Sequence, residues 1–513
     1  MRKHPLFLGI DLGTSNVRSA VFTDSGKPLG YSIKELTICE PLLGWAEEDP
    51  KELWSKTLQT AGEATKMSGC SADDVVSISF SGQMHSISAI DKKGGILFKL
   101  VTGFDQRSGP ESEALNKLIE PRKLYEKTGC PPLFSYIFPK ILWFKNNKPN
   151  IFHKVHKFLS AKDYVIYKML GEALLDHSTA SGSQLLNINT LKWDNRVLEI
   201  AGIGDEKLPI LKDGIKPVGE LPASVAKKIS LRPGIPIVLG ASDGALSSVG
   251  LNAIKEGAVA LDLGSSGAIR ASSSKPVFDK SRQMRLFCYY LGMKKWLVGG
   301  AINNAGYPLR WFKNNFALQE TREAKRKGVS PYQILDSEAE KVEPGSEGLL
   351  SIPFFSGERF PVRDYKSKGV LFGLTYSHSR AHLARAIMEG VAFTLKSIME
   401  VMEEQRIVVD EIGVSGGGVK SELWKQILAD VLGKTIAETK VKEASVLGSA
   451  ILGAISYGAY RDLTEACDHM VELSKKRHPV EENKRIYSRY YEIYKDLYQS
   501  CKPFFNQFYK QNL

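Results

Sequence analysis

Two stretches of this chain place an aspartate, a glycine and two hydroxyl residues in the same order. Near the start it reads Leu6-Phe7-Leu8-Gly9-Ile10-Asp11-Leu12-Gly13-Thr14-Ser15-Asn16-Val17-Arg18. With its aspartate 251 residues further on, it reads Gly257-Ala258-Val259-Ala260-Leu261-Asp262-Leu263-Gly264-Ser265-Ser266-Gly267-Ala268-Ile269-Arg270. A glycine between two strands lets the backbone come close to a ligand and reach positive φ. Successive backbone N–H groups in such a turn form a concave anion site. Thr14, Ser15, Ser265 and Ser266 add donors at the same mouth, and Asp11 could hold Mg²⁺ through water, as hard cations prefer oxygen. One such turn is most simply a hairpin with a capped aspartate. Two copies half a chain apart favour a pair of hairpins gripping a polyphosphate from both sides.

A third stretch, Gly416-Gly417-Gly418-Val419-Lys420-Ser421, follows an apolar strand pattern and precedes a helical one. A smooth glycine surface and an open helix N-terminus suit an adenine ring and ribose; tight turn packing is the simpler alternative. Gly433-Lys434-Thr435 resembles the end of a P-loop, but Leu428 stands where that motif needs glycine. His378 and His382 have metal-ligand spacing, yet no glutamate follows His378 and no third ligand is evident, so a surface pair at a helix start is the favoured reading.

These groups require strand–turn–strand units to position them. Val17 to Phe22 continues the first unit, and Asp24-Ser25-Gly26-Lys27 closes it with turn chemistry. Each half also has a strand ending in Ser-Gly, at Ser81-Gly82 and Ser415-Gly416. The second lies much further from its opening turn, which implies a large insertion. Two similar α/β domains facing a cleft follow from the repeat. Ser379 is expected to cap a helix carrying Leu383, Ile387, Val391, Leu395, Ile398 and Met402 on one face. The expected domains are 1–252 and 253–462, with a helical tail over 463–513.

The chain has 513 residues, 43% hydrophobic and 25% charged, which suits two globular domains. Its net charge of +12 is spread along the sequence without a basic block or aromatic-interleaved stripe, which argues against nucleic acid as a partner. Six scattered cysteines without a C-x-x-C pair suit a reducing cytoplasm. No apolar run is long enough to span a membrane, and the apolar run Leu6–Ile10 is cut by Asp11 too soon for a secretory signal. The oligomeric state is left open, a homodimer included.

The opening Asp-Leu-Gly-Thr-Ser, Gly82-Gln83-Met84-His85 and Gly240-Ala241-Ser242-Asp243-Gly244 resemble the FGGY carbohydrate kinases, of the actin-like, ribonuclease-H-like superfamily. The second family signature matches in full: Gly369-Val370-Leu371-Phe372-Gly373-Leu374, seven residues, His382-Leu383, then Ala386-Ile387-Met388-Glu389. The first matches only from Lys140 to Asn147, because Ile137 stands where proline, serine or threonine is expected. The resemblance runs from about residue 5 to about residue 460.

It implies an α/β fold of two actin-like domains flanking a central cleft, with ATP and Mg²⁺ as cofactors and a small sugar or sugar acid as substrate. Asp243 would be the catalytic base; by position alone it could equally cap a helix. Asp11 would associate with Mg²⁺, with Asp262 as its second-domain counterpart. Gly13, Thr14 and Ser15 would hold phosphates from one side and Gly264, Ser265 and Ser266 from the other, with Gly416, Gly417 and Ser421 along the adenosine. Gln83, Met84, His85, Asp105 and Arg107 would contact the sugar. In this reading His85 serves as a hydrogen-bonding group or a cation, and Arg107 pairs with a sugar-acid carboxylate. The Gly-Ala-Ser-Asp-Gly segment, Ser265–Arg270 and Ser356-Gly357-Glu358-Arg359-Phe360-Pro361 most resemble the gluconate kinases. A xylulose or other sugar kinase, and a non-catalytic actin-like ATP-binding protein, are the alternatives.

Overall fold

A computed structural model describes residues 4–42 and 44–511. The first half is built on β1 (Leu6–Leu12), β2 (Asn16–Phe22), β3 (Pro28–Glu35), β4 (Val75–Gly82) and β5 (Pro236–Ser242). The second is built on β6 (Gly257–Leu263), β7 (Gly267–Ser273), β8 (Lys295–Ile302), β9 (Val409–Ser415) and β10 (Thr435–Thr439). The two sheets repeat one plan. Their central orders are β3-β2-β1-β4-β5 and β8-β7-β6-β9-β10. In each, the first three strands are antiparallel and the last two run parallel to the first. The chain is a two-domain α/β protein of the actin-like, ribonuclease-H-like type.

The local rules are visible in the strands and helices. All seven residues of β1 are buried, as expected for an interior strand covered on both faces. One cover is the helix Pro50–Ser68, which has Asp49 as N-cap, proline at its first position and Gly69 in the left-handed region at its end. The other is the helix Ala444–Tyr457, which comes from the second half yet packs beneath β1 and β4. It also lies against the helix Asp243–Gly250 so closely that a Cβ on Gly448 would sit 2.0 Å from the Leu246 carbonyl, and one on Gly250 2.0 Å from that of Ala444. These two helices form the floor between the domains.

Each half carries its insertion at a different point. In the first half it separates β4 from β5 and contributes Ile96–Val101, Ile87–Ile90 and Lys157–Leu159 to a four-stranded cap sheet whose fourth strand, Glu47–Glu48, precedes β4. In the second it separates β8 from β9 and contains the helix Arg380–Glu404, capped by Ser379 as the periodicity predicts. His382 accepts from the Ser379 backbone N–H through Nδ1, so it serves the helix start. Glu389 of the second signature is also structural. Its carboxylate accepts from Arg385, Tyr487, Ser346 and the Gly345 N–H.

Residues 463–511 differ from the expected helical tail. A helix Leu463–Met470 is followed by an edge strand Leu473–Arg477 beside β10, then the helix Glu481–Gln511. Tyr487, Tyr491, Tyr494 and Tyr498 of that helix are buried in the second domain's core. The charged, tyrosine-rich composition concealed the strand. Among the described residues, no helix is long and apolar enough to cross a membrane.

Candidate functional site

A cleft of about 920 Å³ lies between the domains, and both hairpins open onto it. Gly13, Thr14 and Ser15 connect β1 to β2, and Gly264, Ser265 and Ser266 connect β6 to β7. The expected positive φ does not occur at Gly13 or Gly264. Gly13 is held close to its own turn, where a Cβ would lie 3.1 Å from the Asn16 carbonyl, whereas Gly264 leaves open space. A Cβ on Gly264 would meet only the Ser266 carbonyl, at 3.4 Å.

Behind each hairpin sits an aspartate anchored in the same way. Asp11 faces Ser81 across the parallel β1–β4 pair, and the Ser81 hydroxyl donates to its Oδ1 at 2.6 Å. Arg18 donates to Oδ2 at 3.1 Å. Asp262 faces Ser415 across β6–β9 and accepts from that hydroxyl, from Ser247 at 2.5 Å and from Arg270 at 2.5 Å. The two copies differ by one register step. Arg18 stands directly opposite Asp11, whereas Ala268 stands opposite Asp262 and Arg270 reaches it from two residues beyond.

Asp243 is the first residue of the helix Asp243–Gly250. The strand end before it is clamped: Lys162 donates to the Ala241 carbonyl at 2.9 Å, and the Ser178 and Ser242 hydroxyls pair at 3.1 Å. The Gly244 N–H donates to Asp243 Oδ1 at 2.7 Å, leaving Oδ2 to the cleft. A Cβ on Gly244 would lie 2.9 Å from the Arg270 guanidinium and would have to displace it. A helix N-terminus should lower this carboxyl's pKa. Burial, then the charge of Asp11, outweigh that and push it up to about 6.

Beside the first hairpin, Gln83, Met84 and His85 also line the cleft. Gln83 donates to Glu48 at 3.0 and 3.2 Å and accepts from the Thr14 hydroxyl at 3.0 Å. The proton of Thr14 is therefore committed to Gln83, so Thr14 offers the cleft lone pairs and not the donor expected of it. Burial raises Glu48 to about 8. His85 takes φ 67°, and its Nδ1 donates to the Gly182 carbonyl at 2.9 Å. Burial and the charge of Lys140 bring its pKa down to about 3. The ring is neutral and presents Nε2 as an acceptor, which corrects the reading of His85 as a cation.

Three expected site residues do not line the cleft. Arg107 is buried against the Trp45 ring at 3.8 Å and pairs with Asp105 at 2.7 Å and Glu47 at 2.9 Å, which leaves only its buried Nη1 without a partner. Asp105, fully buried, also accepts from the Ala46 N–H. Both residues build the cap domain. Ser421 caps the helix Glu422–Leu432 by accepting from the Trp424 N–H at 3.0 Å, so that helix end is closed. Of the three glycines, Gly417 faces open space, whereas Gly416 and Gly418 pack against Leu263.

Arg359 was missed as a site residue. It reaches the cleft from the second domain's insertion and lies close enough to His85 for its charge to be felt there. The segment Ser356–Pro361 was the only signal in the sequence that could have found it. Its side-chain hydrogen bond runs to the Ile302 carbonyl at 3.2 Å, while its buried Nε has no partner.

Family models for the FGGY carbohydrate kinases match the chain, the N-terminal domain over residues 6–250 and the C-terminal domain over 259–457. A gluconokinase of Bacillus subtilis (strain 168) is 33% identical over 491 residues, 96% of this chain and 95% of that protein. A xylulose kinase of the same organism is 29% identical over 96% of this chain and 97% of its own length. Crystal structures of a gluconate kinase and of a ligand-bound xylulose kinase, both from Lactobacillus acidophilus, each superpose with a TM-score of 0.90. Each is 28% identical, covering 98% of this chain and all of the other.

Proposed function

The chain belongs to the FGGY family of carbohydrate kinases, and on that premise we propose that it transfers the γ-phosphoryl group of ATP to gluconate, forming 6-phosphogluconate. The observation that carries the reading is the position of Asp243. It borders the cleft near two anchored aspartates from opposite domains, with one carboxylate oxygen free.

Asp243 Oδ2 accepts the proton of the attacking hydroxyl. A group with a pKa of about 6 is ionised at neutral pH and still basic enough to orient that hydroxyl. A loose phosphoryl-transfer transition state asks mainly for position and charge neutralisation. The hairpins Gly13–Ser15 and Gly264–Ser266 supply backbone N–H groups to the phosphates, and Gly416 and Gly417 border the adenosine.

The residues fit Mg²⁺. Three carboxylates, Asp11, Asp243 and Asp262, interact closely enough that two of them raise the third's pKa, an excess of negative charge that a divalent cation relieves. Because Asp11 already accepts from Ser81 and Arg18, it and Asp262 would hold the ion through its water ligands. The bound ion would neutralise charge on the phosphates.

Gluconate is favoured over a neutral ketose by Arg359, a cation that lines the cleft beside His85. The higher identity to the gluconokinase supports the same choice. Xylulose is the second reading, since a xylulose kinase superposes equally well. ADP release measured over gluconate, xylulose and a panel of polyols decides between them. Xylulose turnover without gluconate turnover would move the assignment, and no sugar-dependent turnover from folded protein would end it.

A further inference from the structure

Lys140 is a buried lysine for which the phosphoryl-transfer chemistry has no use. It is 1% exposed and sits in the first turn of the helix Ile137–Asn147. Its ammonium donates to two backbone carbonyls, those of His85 and Thr102, each at 2.6 Å. Burial lowers its pKa to about 7; the charges of Asp105 and Arg107, which face it from the cap, act in opposite directions. Asp105 and Arg107 are already paired with each other.

The two carbonyls belong to two neighbouring segments that line the cleft, so close that a Cβ on Gly103 would lie 3.2 Å from the Met84 carbonyl. His85 ends the Gln83–His85 wall, and Thr102 precedes Gly103 and Phe104, which also line the cleft. His85 adopts a left-handed backbone conformation that a residue with a Cβ rarely takes. Strain of this kind persists only where the surroundings over-determine it. Here the ring is held by Gly182 and packs edge-on against Tyr136 at 5.1 Å, and the carbonyl is held by Lys140. A Cβ on Gly182 would lie 2.1 Å from the Met84 methyl and 3.1 Å from the His85 ring, so a side chain there would have to displace Met84 and press on the ring.

We propose that Lys140 is a positioning residue for the sugar: by joining the His85 and Thr102 carbonyls it fixes the backbone turn that points His85 Nε2 at a substrate hydroxyl. The proposal rests on the sugar-kinase reading of this cleft, in which His85 contacts the sugar. It assigns Lys140 no contact with substrate, so its effect must pass through His85.

The test is a double-mutant cycle with K140M and H85A, read as sugar KM, kcat and ATP Kd, with melting temperature monitored. K140M should raise the sugar KM about tenfold or more, the scale of one lost charge-assisted hydrogen bond, and leave ATP Kd within about twofold. In the H85A background the same change should add little, because the group it positions is gone. K140Q, which can still reach one carbonyl, should fall between wild type and K140M. An equal effect of K140M with and without His85, or a sugar KM unchanged by it, would overturn the proposal. Failure of both Lys140 variants to fold would overturn it as well, since it would make Lys140 a folding residue. A wild-type protein without sugar-dependent ADP release defeats the sugar-kinase reading instead, so the two failures are distinguishable.

Discussion

The hydroxyl of Ser81 donates to Asp11 across a parallel strand pair, and Ser415 stands in the same relation to Asp262 in the other domain. Each serine holds a carboxylate at the root of a hairpin that opens onto the cleft. A hydrogen bond to a charged group contributes about 1.5–3 kcal/mol. S81A and S415A are therefore expected to lower kcat/KM for ATP about tenfold or more each, with the sugar KM little changed. Steady-state kinetics with each substrate varied in turn check this.

Replacing Asp243 by asparagine keeps its shape and removes the base. D243N should reduce turnover by about a hundred- to ten-thousandfold while ATP binding, measured by calorimetry, is retained. Retention of turnover would remove Asp243 from the chemistry. Retained sugar-independent ATP binding together with no sugar turnover in the wild type would favour the non-catalytic actin-like alternative.

The pH dependence has a definite sign. Asp243 must be ionised to accept a proton, and burial has raised its pKa to about 6. kcat should rise with pH through about 6 and level off above it, while the sugar KM should rise above about pH 7 as Lys140 loses its charge. Because the folded-state pKa lies above the unfolded one, ionisation of Asp243 opposes folding, and that loss of stability is complete above pH 6. D243N at pH 7.5 should accordingly melt no lower than wild type. His85, already neutral with a pKa near 3, should contribute no titration of the sugar KM between pH 5 and 8.

Two arginines that look alike in sequence should behave differently. Removing Arg107 leaves Asp105 and Glu47 buried without their partner, and breaking such a pair typically costs about 3–5 kcal/mol. R107M should lower the melting temperature sharply. R359Q should leave stability nearly unchanged and raise the KM for gluconate more than that for a neutral polyol. Equal losses for both substrates would remove the carboxylate-pairing role from Arg359.

The floor between the domains depends on the absence of side chains. G448A places a methyl group against the Leu246 carbonyl and should destabilise the protein by about 1–3 kcal/mol, read from denaturant unfolding. An unchanged midpoint would show that the two helices can separate freely.

The hairpins were legible in the sequence because each is built from consecutive residues. Asp-Leu-Gly followed by two hydroxyls is a strand end and its turn, set by local backbone preference, and its repetition half a chain later revealed the paired domains. The Ser-Gly strand ends at 81–82 and 415–416 were visible for the same reason, although nothing local showed that their hydroxyls reach Asp11 and Asp262. The roles that tertiary structure decided belong to residues whose partners are distant in the chain. Arg107 meets Glu47, 60 residues away, and is lost to the site. Arg359 is brought beside His85, 274 positions earlier, only when the second domain's insertion folds over the cleft. Ser421 was read as part of an open helix end and is its cap. Local patterns determine which chemistry a segment can offer. Long-range packing decides which charges are already satisfied, and those left over are the ones available to a substrate.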